Sequence, residues 1–562
     1  MTAPASDTPA VTWAVVVRPY DPGESVTLEG PPLPGGFGAG GMDAAEWSYS
    51  GAEVPVYLCG VGPAIRTGPA DNPPDTLFRP VLRQPCRFEA RLFEGSEPGE
   101  SFRLSRTFSA IEVVNADGWL DERFADGWDG RAVELWSVPR AAATGRADWP
   151  NATRVFAGEV ERVDWREGRA IVALRDRRTR FAAPLARRHY TGEGGTAGDA
   201  HLAGRPVPLC YGEPGGVIEP EQVDAANRVW QWHDGPSQAL DGAFDKGAAL
   251  TVGSDYPDYA ALVAASVSAG TVATCLAESL VRVGDNLAGR LTLKVRGDAA
   301  GDGYTDTAAG IVRRVVTSRL GATGNLADPG DLDTAAFTAL ASAQAANLGV
   351  YVGADEVTAA AFLDGLLGGV GAWWGLTLAG LFTCAVFAAP SGGAAATLRR
   401  RDFRLGDDAL AARPGAIWRT RVGHGRNFAV QAPSETVEPP AITAEARAAL
   451  AQEYRWAVAE DGTVRTKHRL ARIVDVPAPF ADAADALAEA VRRQALFGAP
   501  PLLLTVPVTG RAPFAVDLGA VVHIEDLGRF GLAATTAWRL VGLDADLARG
   551  TLTWTLWGGN AA

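Results

Sequence analysis

The sequence predicts a multidomain α+β protein, predominantly β, with β-barrel or sandwich modules and one helix-containing α+β module. Three observations carry this expectation. A chain of 562 residues is too long for one hydrophobic core and divides into about three to five domains. Its 65 glycines and 36 prolines demand many turns and short strands. Strictly alternating segments also recur, from "RFEARLF" near the start to "TLTWTLW" near the end.

The first module, residues 1–190, reads as β-rich behind an extended arm. The arm contains "EGPPLPGGFGAGG". In "RFEARLF", Phe88, Ala90 and Leu92 fall on one face and Arg87, Glu89 and Arg91 on the other. "RAVELWSV" from Arg131 and "RVFAGEVERVDW" from Arg154 are further strands, and "EGRAIVALRD" follows a turn at Arg166-Glu167-Gly168. Residues 191–290 read as a mixed, inserted domain with one helix in "YPDYAALVAASVSAG".

Residues 291–413 read as the α+β module. "LTLKVRG" is its strand, and "YTDTAAGIVRRVVTSRLG" is a helix with Ile311, Val312, Val315 and Val316 as its apolar stripe and Gly321 as its stop. A second helix in "DLDTAAFTALASAQAANLG" is ended by Gly349. From Gly365 to Pro390 no charged residue occurs, and a membrane-spanning helix needs about 20 apolar residues. Six glycines interrupt this run, no basic cluster flanks it, and no second candidate span exists. Thr358 instead caps a helix with Phe362, Leu363, Leu366 and Leu367 on one face. "AWWGLTL" and "LFTCAVFA" then form a hairpin turning at Ala379-Gly380, which makes the run core.

Residues 414–562 read as a β-rich module with one helix, "ADAADALAEAVRRQALFG". "TLTWTLW" points Leu552, Trp554 and Leu556 inward and pairs with "AWRLVGL" across "DADLARG".

Chemistry is thin in this sequence. The net charge of -14 sets the whole chain against nucleic acid and anionic membranes, leaving only a local basic face open. Cys59, Cys86, Cys210, Cys275 and Cys384 are odd in number, far apart and without C-x-x-C spacing, against a disulfide framework or a zinc site. The N-terminus lacks the basic start and apolar stretch of a signal peptide, so synthesis in a reducing cytoplasm is expected. Gly36, Gly38 and Gly41 match G-x-G-x-x-G, but prolines rather than a strand precede them. His189, His201, His233, His424, His468 and His523 are scattered, with no pair at ligand spacing on a helix.

Asp117, Asp121, Asp126 and Asp129 cluster in "NADGWLDERFADGWDG" as a calcium loop would require, but out of register and interrupted by Trp119 and Trp128. Asp-Gly turns between strands are the simpler reading. Trp136, Trp538 and Trp554 fall in strand patterns as core or interface anchors. The expectation is a non-enzymatic chain with no catalytic residue, cofactor or metal site. The alternatives are a glycan hydrolase or peptidase using Asp117 or Asp121, and a carbohydrate-binding β protein using exposed tryptophans.

One resemblance extends from about residue 80 to the end. "IEVVNADGWLDERFADGWDGRAVELW" is followed by "FAGEVERVDW", "VALRDRRTRFAAPLARRHYTG" and "LAGRPVPLCYGEPGGVIEP". Then come "DYPDYAALVAAS", "LTLKVRGD", "AWWGLTLAGLFTCAVFAAP", "VDLGAVVHIEDLGRFGL" and "WRLVGLDADLARGTLTWTLWG". This succession resembles the tail-tip, or baseplate hub, proteins of long-tailed bacteriophages and related gene-transfer particles, which are T4-hub-like. The resemblance implies a structural virion protein at the tail tip, made in the host bacterial cytoplasm. It implies a homotrimer that closes the tail tube and joins the distal tail protein to the central fibre or spike. Such a ring lets the tape measure protein and phage DNA pass on genome ejection, without specific DNA binding. Some members hold an iron–sulfur cluster with grouped cysteines, and here the cysteines are not grouped.

Overall fold

The structure is a computed structural model describing residues 11–21, 52–93, 102–141, 146–317, 329–353, 355–403, 410–412, 415–499, 501–508, 516–527, 532–549 and 551–561. Gly36, Gly38, Gly41 and Gly321, with the expected N-terminal arm, lie outside these residues. The chain is predominantly β, in several modules, with helices gathered in its middle and in one C-terminal layer.

Seven strands close the first barrel, in the order Val56–Gly60, Val11–Val17, Ala132–Pro139, Thr153–Arg166, Arg169–Arg175, Ile111–Val114 and Leu77–Gln84, which returns to Val56–Gly60. The unbroken apolar run Trp13–Val17 in the strand Val11–Val17 follows from burial on both faces. Val15 and Val17 join the main core, while Ala14 and Val16 join a satellite core with Phe78 and Trp149. The turn at Gly168, with φ +74°, links Thr153–Arg166 to Arg169–Arg175 as the sequence predicts.

Arg87–Leu92 alternates as expected, with Phe88, Ala90 and Leu92 buried. It does not belong to this barrel, however. It pairs with Leu104–Phe108 on one side and with Thr535–Asp546 of the last module on the other. The reason is packing: its apolar side joins the strip on which Leu543 and Ala545 are also buried.

The inserted module is a seven-stranded sheet ordered Glu221–Asp224, Val229–Gln231, Leu280–Val283, Thr271–Cys275, Ala248–Asp255, Ser237–Asp245 and Leu291–Asp298. The helix expected in this stretch is short, Tyr259–Ala264, capped by Asp258. "LTLKVRG" does not open the next module but completes this sheet, pairing with Ser237–Asp245, so the sheet crosses the border placed at residue 290.

In the centre, Ala308–Thr317 buries Ile311, Val312, Val315 and Val316 completely. Thr334–Ala343 ends earlier than predicted, and Gly349 opens the strand Gly349–Val352, paired with Leu209–Gly212. A Cβ at Gly349 would run into the Glu213 carbonyl, so backbone approach, not a helix stop, fixes glycine here. The uncharged run is a helix, Ala359–Gly369, and a hairpin of Ala372–Leu376 with Phe382–Val386. Thr358 accepts from the Ala361 N–H at 3.2 Å, and Gly380 turns the hairpin at φ +80°. Among the described residues no helix is long and apolar enough to cross a membrane.

The last module has two layers. Ile417–His424 lies between Arg455–Glu460 and Arg472–Phe480, with the helix Ala483–Phe497 packed on one face of that sheet. The final sheet runs Ala396–Leu398, Val521–Glu525, Thr535–Asp546, Thr551–Ala561, Leu502–Val508 and Leu410–Ala412. Leu552, Trp554 and Leu556 are buried in it, as the alternation predicts.

Candidate functional site

The acidic turn joins the barrel strands Ile111–Val114 and Ala132–Pro139. Asn115 organises it, donating to Asp121 Oδ1 at 2.7 Å and accepting from the Leu120 N–H at 2.8 Å. The Trp119 and Trp128 indoles donate to the Val114 and Arg123 carbonyls, and Arg123 pairs with Asp126 at 3.4 Å. Gly118 and Gly130 hold φ near +70°. The carboxylates therefore build turns or face solvent, and Asp117, Asp121 and Asp129 are exposed. Among the described residues no group of three or more His, Cys, Asp or Glu is placed to hold a metal ion.

The histidines do not gather. His233 is fully buried, its Nδ1 accepting from the Cys210 N–H at 3.0 Å and its Nε2 lying 3.5 Å from Asp298. Arg314 approaches the same carboxylate at 3.6 Å. Burial pushes the Asp298 carboxyl up, but the hydrogen bond and charge of His233, with the Arg314 charge, hold it below its ordinary value on balance. This network ties the inserted sheet to the central helix Ala308–Thr317. His424 is also buried, and burial first and then Arg455 push it below the usual histidine value.

All five cysteines are free and buried. They sit in separate cores, with Cys59 beside Phe78, Cys210 beside Trp232, Cys275 beside Tyr190, and Cys86 and Cys384 in the main core. Burial raises the Cys86 and Cys384 thiols to about 12, away from the thiolate that a metal requires. These residues do not fit an iron–sulfur cluster.

A cleft of about 800 Å³ opens where the inserted sheet, the strand Gly349–Val352 and the C-terminal layer meet. Its arginines are paired internally. Arg205 pairs with Glu221 at 3.2 Å, Arg290 with Glu219 at 3.1 Å and Arg426 with Glu453 at 2.9 Å. The Arg426 guanidinium lies over Phe428 at 4.5 Å and over Tyr454 at 5.4 Å, covering ring faces that a sugar would stack on. Burial raises Glu219, and Arg290 partly offsets that. The described lining includes no serine, cysteine or histidine.

Sequence reasoning missed the junction of Glu489, Arg492 and Arg493, which ties the last helix to the centre. Arg493 donates to the Gly368 carbonyl at 2.6 Å and pairs with Glu489 at 2.7 Å, and Arg492 donates to the Phe387 carbonyl at 2.5 Å. A signal was present: opposite this buried polar side, Ala484, Leu487, Ala488 and Val491 are all exposed. The large aromatics lie mostly inside, with Trp232, Trp374, Trp538, Trp554 and Trp557 nearly free of solvent contact. Trp136 is half-buried at the satellite core.

No protein-family model and no curated protein matches the chain. Among solved structures it is similar to the tail protein from Neisseria meningitidis MC58, with 12% identity over 88% of this chain and 95% of that one and a TM-score of 0.33. It is similar to prophage tail protein gp18 from Listeria monocytogenes EGD-e, with 7% identity over 85% and 95% of the two chains and a TM-score of 0.24. A chain of the native gene transfer agent virion shares 14% identity over 42% of this chain and 84% of that one, with a TM-score of 0.11.

Proposed function

We propose that this chain is a structural subunit of a phage-type tail, placed at the tail tip as a baseplate hub. Three copies form a ring that closes the tube and joins the distal tail protein above to the central fibre or spike below. The ring opens to let the tape measure and DNA through. It uses no catalytic residue, cofactor or metal, and it resides in the virion after synthesis in the host cytoplasm.

The observation that carries this reading is the succession of hub-like motifs from about residue 80 to the end. Two features of the structure support it. The large tryptophans serve as core anchors rather than as an exposed stacking platform. The carboxylates of the acidic turn are spread through Asp-Gly turns instead of converging in a cleft.

The net charge of -14 suits a DNA conduit, because carboxylates along the lumen keep phosphates from sticking during ejection. A lumen lined mainly by arginine would contradict that part. The whole reading is tested by the mass and symmetry of the purified assembly and by locating it in particle images. A trimer at the tail tip is expected. A monomer that turns over a sugar or peptide and is missing from virions would sink the proposal.

A further inference from the structure

We propose that the outer face of the three-stranded sheet Arg455–Glu460, Ile417–His424 and Arg472–Phe480 docks the next copy of this chain, through the acidic turn of that copy's first barrel. The inference rests on the ring reading and deepens it by naming the two surfaces that meet.

The inner face of this sheet is spent, because Val422, Val474 and Val476 are buried in the main core beneath the helix Ala483–Phe497. The outer face is not. Val458 and Ile473 are 42% and 49% exposed on it, and Leu470 stands 92% exposed at the turn leading into its third strand. Val458 and Ile473 flank the central strand from opposite edges, so with Leu470 this surface bares three aliphatics around the paired Arg419 and Arg421.

Cations rim this face on a chain of net charge -14: Arg465, Lys467 and Arg469 are exposed, and Lys467 and Arg469 make no ion pair among the described residues. Arg419 and Arg421, within the face, are already paired with Glu460 and Asp475. The rim is left positive.

The same chain carries the complement. Phe124 is 64% exposed, its ring braced edge-on against Trp165 at 5.4 Å between centroids. The same turn carries the exposed carboxylates Asp117, Asp121, Glu122 and Asp129, two of them within three residues of Phe124 in sequence. An apolar knob beside carboxylates thus answers a face whose own charges are paired, whose bare side chains are aliphatic and whose unpaired charges are cations. The two lie on different modules, so a head-to-tail contact between copies satisfies both, the class of contact from which rings are built, whereas either patch meeting itself would repel.

The test uses the full chain, its mass read by light scattering across dilution at low and high salt, with circular dichroism confirming the fold of every variant. Lys467→Glu with Arg469→Glu, and separately Asp117→Arg with Glu122→Arg, are expected to weaken association by at least about tenfold, and the four changes together to restore it. Reversal variants that associate like the parent overturn the docking but leave the ring reading standing. So does a fourfold variant that stays dissociated. A parent chain that is monomeric throughout overturns the ring reading itself. If Lys467→Glu with Arg469→Glu leaves the mass unchanged but abolishes binding to phosphatidylserine vesicles, the patch belongs to a membrane and the proposal fails.

Discussion

Glu489 and Arg493 stand one turn apart on Ala483–Phe497, and their side chains are 2% and 1% exposed. Burial lowers the Arg493 guanidinium and Glu489 opposes that, so the buried Arg493 is tolerable only because Glu489, which Arg492 also pairs with at 2.7 Å, is there. Glu489→Gln leaves Arg493 charged without its counter-ion and should cost about 3 kcal/mol in urea unfolding. Replacing both, as Glu489→Leu with Arg493→Met, should cost less than the single change, because the fully buried ion is gone and Arg492, which also loses Glu489, is 29% exposed and reaches water. A double variant weaker than the single would contradict this account. The helix itself was legible from its alanine-rich spacing. The pair was hinted at only by the apolar Leu487 and Val491 on the opposite side, because charged residues in a sequence read as a solvent face.

His424 yields a second prediction at this scale. Its folded value lies below the ordinary histidine value, so above about pH 6.5 the ring is neutral folded and unfolded, at no cost. As pH falls, the unfolded chain takes up a proton that the folded chain resists, and stability drops. His424→Leu should therefore show a shallower loss of stability between pH 7 and pH 5 than the parent, in melts at matched salt. Parallel curves would show that His424 does not contribute.

Among the elements, local signals were read well and non-local partners were not. The Thr358 cap, the face of Leu363 and Leu367, and the Gly380 turn all depend on residues within one or two turns of chain, and the structure holds each of them. Gly349 was read as the end of a helix because nothing nearby announces that the backbone at Glu213 passes against it. The strand Leu291–Asp298 was likewise recognised but given to the wrong sheet, since alternation fixes which face is apolar and not which neighbour it pairs with.

The two kinds of position should differ in measured cost. Thr358→Ala loses one cap and should cost about 1 kcal/mol. Gly349→Ala forces a Cβ into backbone that cannot move without unpairing Leu209–Gly212, and should cost about 3 kcal/mol. Equal costs in thermal or urea unfolding would mean that the junction yields more easily than its geometry states.

At the scale of the whole molecule, one core includes Val15 near the start and Trp557 near the end, and the chain is stitched across that distance. Composition and alternation made the β-rich, multi-module architecture legible. They could not reveal that Arg87–Leu92 leaves the barrel segment around it to pair with Thr535–Asp546, because no local pattern encodes a partner more than four hundred residues away. Of the candidate surfaces, the acidic turn was visible as a run of aspartates. The cleft and the cationic sheet face were not, since each is assembled from distant strands.

The stitch has a measurable consequence. Arg87–Leu92 is bonded on both edges, so Ala90→Pro removes a ladder hydrogen bond from its middle. Hydrogen exchange should then quicken at residues 542–546 and 104–108, while Thr153–Arg166 and Arg169–Arg175 keep their protection. Barrel strands that lose protection while 542–546 stays guarded would return this strand to the barrel. The expected pattern would instead make this six-residue strand a working part of the last sheet, held there by pairing that spans more than four hundred residues of chain.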